Sequence, residues 1–490
     1  MTIARITTRP QGPTAWRQRL APLARPLLLL VGALVTGIAV GFLVGNGDAA
    51  IALMAALAIP VGVLVVRYPL AGVTIWLLAM PFTGAIGAEG QAGPLYWAVH
   101  RLGIPALLVI GTLHRAGRTD RAPFRIGFID VALVLFLAVG VGNVLLFAND
   151  GARTLISLYD KLIVPIMFFW VVRVLEPTPA ELRRLLPVAI WTVGTQAIIG
   201  LMSWVAPQLL PAQWLGREGE RTVGTLGGPG PYTVGIVFFA LLLVYWALQS
   251  TSPTSRRLLF AIVAAGLGAV LLSLSRGSWL GAVIAFGGLA IVYPQVRRTV
   301  VVFTIVVALL FVGPLSGAID RVSERLGTVD TVDARLITND AAIRMVADRP
   351  WLGFGWGNFD LFDEGYKQPV GDVPLRLGGT AHNTYLNLGV EFGLVGAVLY
   401  MIPVLLLLIL TIRRRQILKL QPWRWQFVLV LWLALADQFA VNNFLEMIHS
   451  SEWATSIWWI TLALIAVTVQ QATRDAVPPP RSVAASHAPR

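Results

Sequence analysis

Residues 232–250 read Tyr232-Thr-Val-Gly-Ile-Val-Phe-Phe-Ala-Leu-Leu-Leu-Val-Tyr-Trp-Ala-Leu-Gln-Ser250, with no charged side chain. At about 1.5 Å per residue, such a helix matches a hydrocarbon core of about 30 Å. Similar runs recur along the chain, and they lack the alternation of transmembrane β-strands. Hydrophobic residues make up 56% and charged residues 13%, with a mean hydropathy of +0.73. Soluble domains carry about 25% charged residues. The expected class is all-α: a polytopic inner-membrane helical bundle of about 12–14 spans with one large external loop.

Fourteen spans are expected, at 27–46, 49–66, 69–87, 96–113, 131–148, 155–175, 186–206, 232–250, 258–275, 279–294, 300–317, 384–411, 426–446 and 454–472. His100 and Arg101 shorten the apolar part of the fourth. The organisation is then a basic tail 1–26, spans 1–11 across 27–317, the external loop 318–383, spans 12–14 across 384–472, and a tail 473–490. Alternate short loops are basic: Arg67, the arginines of 115–125, Arg256 and Arg257, Arg297 and Arg298, and the cluster in 413–424. The positive-inside rule places these, and both termini, in the cytoplasm. The net charge of +13 is accounted for in the same way, so no nucleic-acid partner is expected. No cleavable leader is evident. With no cysteine in the chain, disulfides, thiolate nucleophiles and Cys-based metal sites are excluded.

Basic residues on the opposite side run against the bias, and they mark candidates for binding an anion. Arg217 and Arg221 precede a Gly/Pro-rich stretch, Gly224-Thr-Leu-Gly-Gly-Pro-Gly230. Its free backbone N–H groups suit an anion, although such a run also serves as a simple turn. Arg276, in Leu274-Ser-Arg-Gly-Ser-Trp279, joins two spans with almost no loop; a headgroup anchor fits it equally. His382 lies where the loop re-enters a span, in Gly379-Thr-Ala-His-Asn-Thr-Tyr-Leu-Asn-Leu-Gly-Val-Glu391. The positive end of that helix favours a neutral imidazole, which is a competent base; a cap or packing role also fits. Arg221, Arg276 and His382 together suit displacement of a diphosphate: guanidiniums bind phosphate oxygens bidentately while the histidine activates a hydroxyl.

In the loop, 333–347 is expected to form an amphipathic helix with Leu336, Ile343 and Ala347 on one stripe, interrupted by Asp340. The glycines of Arg349-Pro-Trp-Leu-Gly-Phe-Gly-Trp-Gly-Asn-Phe359 permit a tight path, and Trp351 and Trp356 either stack on sugar faces or anchor at the interface. The acids Asp360, Asp363 and Glu364 are read as solvated, and neither a metal nor another cofactor is called for. Within the spans, Asp160 and Lys161 point about 100° apart, so each needs its own partner. Asp437, with Asn442 and Asn443, forms a further polar group.

Three of these motifs together resemble the O-antigen ligase/O-antigen polymerase (Wzy_C) superfamily of membrane glycosyltransferases: Ser275-Arg-Gly-Ser-Trp279, the stretch 348–359, and His382-Asn-Thr-Tyr-Leu386 followed by Val390-Glu-Phe-Gly-Leu-Val-Gly396. They occur in the family's order across about 220–400. The resemblance implies a GT-C-like enzyme with metal-independent inverting transfer. Glycan would pass from an undecaprenyl-diphosphate carrier to an acceptor hydroxyl on a glycan, lipid or protein. It implies His382 as base and Arg221 and Arg276 on the diphosphate. The family commonly shows Gly-Thr-Phe-Gly-Asn-Pro-Asn where this chain has 224–230, so a role for asparagine there does not carry over. The other class in view is a transporter or channel for small ions, or a glycan-export component; its site would lie near the bilayer midplane.

Overall fold

The computed structural model describes residues 49–86, 93, 96–118, 124–216, 221–298, 330–370 and 382–476. It is 82% helical, and the described residues contain no strand, only one isolated bridge between Leu215 and Thr222. The helices are α1 Ala49–Arg67, α2 Leu70–Ile86, α3 Gly103–Ala116, α4 Phe128–Phe147, α5 Gly151–Leu175, α6 Leu186–Val205, α7 Pro229–Gln249, α8 Pro253–Leu272, α9 Arg276–Val292, α10 Asp330–Asp348, α11 Thr384–Arg413, α12 Pro422–Asn442 and α13 Glu452–Asp475. Eight helices among the described residues are long and apolar enough to cross a membrane. The chain is a multi-pass, all-α membrane protein. The spans expected at 27–46 and 300–317, and the tail 1–26, lie outside the described residues.

The chain divides between Ala71 and Gly72 into two compact units, the first contributing α1. The second is built around α7 and α13, which are nearly and fully buried. Pairs α9–α12, α13–α5, α7–α8, α6–α8, α3–α5 and α11–α4 pack its walls. Many lipid-side residues, such as Leu145, Val205 and Val283, stay exposed, as expected where the surrounding solvent is hydrocarbon.

Arg101, Asp160 and Lys161 have partners inside the bundle, whereas Asp437 of α12 is buried with neither carboxyl oxygen hydrogen-bonded. Arg101 donates to both carboxylate oxygens of Asp160, at 2.7 and 2.5 Å. The two residues sit on π-helical turns, Trp97–Leu102 and Tyr159–Ile163, where the extra residue per turn redirects side chains. Lys161 points elsewhere and donates to the carbonyl of His449 at 2.7 Å. Asp160 and Lys161 do have separate partners.

α10 spans Asp330–Asp348, longer than 333–347, and its buried stripe is not the expected one. Leu336 and Ile343 are exposed, whereas Ile337, Ala341, Ala342 and Met345 are buried. Ala342 and Met345 pack with Val390 of α11, Phe354 and Phe359. Small residues let α10 approach α11 closely, and Asp340 on the other side pairs with Arg344.

Candidate active site

α11 is broken at Gly393, where φ is 65° and ψ −173°. A helix break frees carbonyls that must find donors. Here the segment 350–357 supplies them. Phe354 N–H donates to the Val390 carbonyl at 2.8 Å and Gly355 N–H to that of Glu391 at 3.1 Å; Leu394 N–H returns a bond to Pro350. A Cβ at Gly393 would lie 2.2 Å from the Trp351 oxygen, and one at Gly353 2.3 Å from the Val390 oxygen. Only glycine fits that approach, and both take positive φ. Asn143 of α4 completes the clamp. Its amide nitrogen donates to Leu352 and Glu391 carbonyls, and its oxygen accepts from Trp356 N–H. The motifs at 348–359 and 382–396 are thus one structural unit.

That unit holds the first turns of α11. Asn383 caps them, accepting from Tyr385 and Leu386 N–H. Thr384 bonds to Leu445 and Met447, tying in the loop between α12 and α13. His382 stands just before the cap, half-buried. Burial, then the charges of Arg335 and Arg221, hold its pKa below the ordinary imidazole value. The neutral form expected from the sequence is favoured, by desolvation and guanidiniums.

Arg276 opens α9 after a tight reversal in which Leu274 takes a positive φ of 50°, a conformation that costs about 1–2 kcal/mol. The motif around it supports the turn. Ser278 bonds to Ser275 and receives a bond from Thr233 of α7, while Trp279 N–H donates to the last carbonyls of α8. Gly277 faces Phe444, whose Cβ would lie 2.7 Å from a side-chain carbon there. The stretch 224–230 is likewise anchored: Gln196 grips Thr225 through both amide atoms, and Tyr232 bonds to the Gln196 carbonyl. Next to Arg221, Thr222 is held by Ser203 and Trp204.

The structure brings a further arginine to this group. Arg335, on α10, has its pKa lowered by burial and then by Arg276 and Arg221. Arg335 thus links the group: the charges of Arg221 and Arg276 act on it, and those of Arg335 and Arg221 act on His382. Arg335 was one of several basic residues in its loop, with nothing local to single it out.

His382 also lines a cavity of about 530 Å³ walled by Gly227–Pro231, Gly357, Phe359, Asp360, Asn387, Glu391, Leu445, Glu446, His449 and Ser450. Inside it, His449 Nε2 lies 2.9 Å from Glu391 Oε2, and Glu391 Oε1 accepts from Gly357 N–H. Burial pushes the His449 pKa down, but Glu391 and Glu446 outweigh it and the net direction is up. Burial and neighbouring acids raise Asp360. Trp356 is buried, its ring 4.0 Å from that of His449 and 5.5 Å from that of Phe392. It backs the imidazole instead of offering a face to a sugar. Trp351 is 70% exposed. Asp363 pairs with Lys367, and no cluster of metal-ligating type occurs among the described residues.

Residues 260–401 match the family model described as O-antigen ligase. That match, over less than a third of the chain, supports the O-antigen ligase/polymerase family. The O-antigen ligase region holds Arg276, α10 with Arg335, the 350–357 clamp and His382; Arg221 lies before it. No curated protein matches the chain.

Proposed function

We propose that this protein is a metal-independent inverting glycosyltransferase that moves glycan from undecaprenyl diphosphate to an acceptor hydroxyl at the outer face of the inner membrane, with both termini cytoplasmic. The observation that carries this reading is His382 at the edge of a cavity under the charges of Arg335 and Arg221, with Arg276 in turn acting on Arg335. His382 takes the proton of the acceptor hydroxyl as its oxygen bonds to the anomeric carbon. The bond from that carbon to the diphosphate oxygen breaks, and the guanidiniums take up the charge on the leaving group. Removing water from the site strengthens each of these interactions.

An apolar groove of about 270 Å³ supports a lipid-linked donor. It begins at Trp279, three residues after Arg276, and follows α9 past Ala282, Val283 and Phe286, opposite Val263 and Leu267 of α8. A prenyl chain fits such a surface, with its diphosphate at the arginine end. The transport alternative would draw on the intramembrane charges; Arg101, Asp160 and Lys161 are engaged with one another or with backbone, so it would have to rest on the buried Asp437 of α12, whose carboxyl oxygens have no hydrogen-bond partner.

The test is incubation of the purified protein with an undecaprenyl-diphosphate oligosaccharide, with and without an added acceptor. Transfer that requires an acceptor indicates a ligase, and growth of the donor alone a polymerase. Absence of both, with donor shown to bind, would overturn the assignment.

A further inference from the structure

The 530 Å³ cavity is divided in its charge. At the His382 edge, guanidiniums gather. Beyond it the ionisable lining is Asp360, Glu391, Glu446 and His449, and no lysine or arginine lines it among the described residues. Lys161 approaches from behind and is engaged with the His449 carbonyl. Glu391 is oriented by two bonds, from Gly357 N–H and with His449. Glu446 Oε2 accepts from His449 N–H, whereas its Oε1 has no partner. Asn387, on the α11 face between His382 and Glu391, is 5% exposed, lines the cavity, and leaves its Oδ1 without a hydrogen-bond partner. A buried amide oxygen without a partner is costly unless a ligand donates to it.

This arrangement is rich in fixed acceptors, and its volume lies within the range of about 300–1,000 Å³ usual for small-ligand sites. Sugar hydroxyls are donors that carboxylates and amide oxygens satisfy. The glycines at 227, 228, 230 and 357 let main chain approach a ring without side-chain obstruction. A carboxylate or phosphate on the ligand, which brings acceptors only, would instead face the carboxyl oxygens of Asp360, Glu391 and Glu446.

Resting on the glycosyltransferase reading, we propose that Asp360, Asn387, Glu391, Glu446 and His449 form the acceptor subsite, and that it takes a neutral or amine-bearing sugar and rejects an acidic one. The two halves of the site would then sort the substrates by charge, with the diphosphate donor on the arginine side and the acceptor on the acidic side.

The test uses full-length protein in nanodiscs and saturation-transfer NMR with methyl β-glucoside, methyl β-glucosaminide and methyl β-glucuronide. The first two should bind, and the glucuronide at least about tenfold more weakly. In the double variant Asp360→Asn/Glu446→Gln that gap should close, and Asn387→Leu should weaken all three. Equal or tighter binding of glucuronide to the unaltered protein, or no binding of any glycoside, overturns the proposal without recourse to a variant. Undecaprenyl diphosphate binding is measured on the same samples. Its loss with the glycoside preference intact would count against the donor reading alone.

Discussion

Lys161 of α5 donates its ammonium to the main-chain carbonyl of His449, 288 residues away, at 2.7 Å. One intramembrane charge thereby fixes the loop that forms a wall of the cavity. Lys161→Met keeps the stem and removes the donor. A hydrogen bond from a charged group contributes about 1.5–3 kcal/mol, so the variant should melt at a lower temperature in detergent. An unchanged melting temperature would mean that the loop is held by other contacts.

His382 is proposed to act in its neutral form. His382→Ala should lower transfer by about 10²–10⁴-fold at unchanged expression. Because burial, Arg335 and Arg221 keep its pKa low, the rate should be flat across neutral pH. It should fall only below the ordinary value of about 6.5, as the imidazole takes up a proton. Arg335→Gln removes one repelling charge, so its acidic limb should move upward. A pH profile identical to that of the unaltered protein would separate Arg335 from His382.

Arg276→Lys keeps the charge but loses the planar fork. Transfer should drop on the order of 10–100-fold, while insertion into the membrane is unaffected. Transfer should also persist in excess EDTA. Loss in chelator, restored by Mg²⁺ or Mn²⁺, would assign charge neutralisation to a metal and reduce the arginines to headgroup anchors.

Asn143→Leu leaves Trp356 N–H without its acceptor, and the Leu352 carbonyl without its donor. At about 1–3 kcal/mol for each buried group left unsatisfied, the loss of thermal stability should be large for one surface-preserving change. The measurement is the melting temperature, and a shift within error would show that water replaces the amide.

Orientation is open to cysteine labelling, since the chain has no native cysteine. Leu361→Cys, at an exposed position, should react with an impermeant maleimide in intact cells or spheroplasts. Gly117→Cys and Thr254→Cys, both exposed, should react only after permeabilisation. The reverse pattern would invert the proposed topology.

Hydropathy revealed the helices well. The span expected at 186–206 is Leu186–Val205, and that at 384–411 is Thr384–Arg413. Apolar content reports burial in lipid, which is what that signal measures. It does not report a break between two apolar half-helices, so the interruption at Gly393 was not visible. Nor was the facing of α10, where small alanines won the contact over larger Leu336 and Ile343. Arg276 and His382 stood out because motif and position agreed. Arg335, Asn143 and His449 owe their place to partners far away in the chain, a relation that no local pattern encodes.

The clamp between segment 350–357 and the broken α11 makes mechanical partners of pieces that local sequence treats separately. Any displacement of α10 must be transmitted to the carbonyls of Val390 and Glu391, and from there to the turn bearing His382. The proposed base and the arginine on α10 therefore share one hydrogen-bonded and packed frame, so the spacing between them is set by the clamp and not by the loop that separates them in sequence.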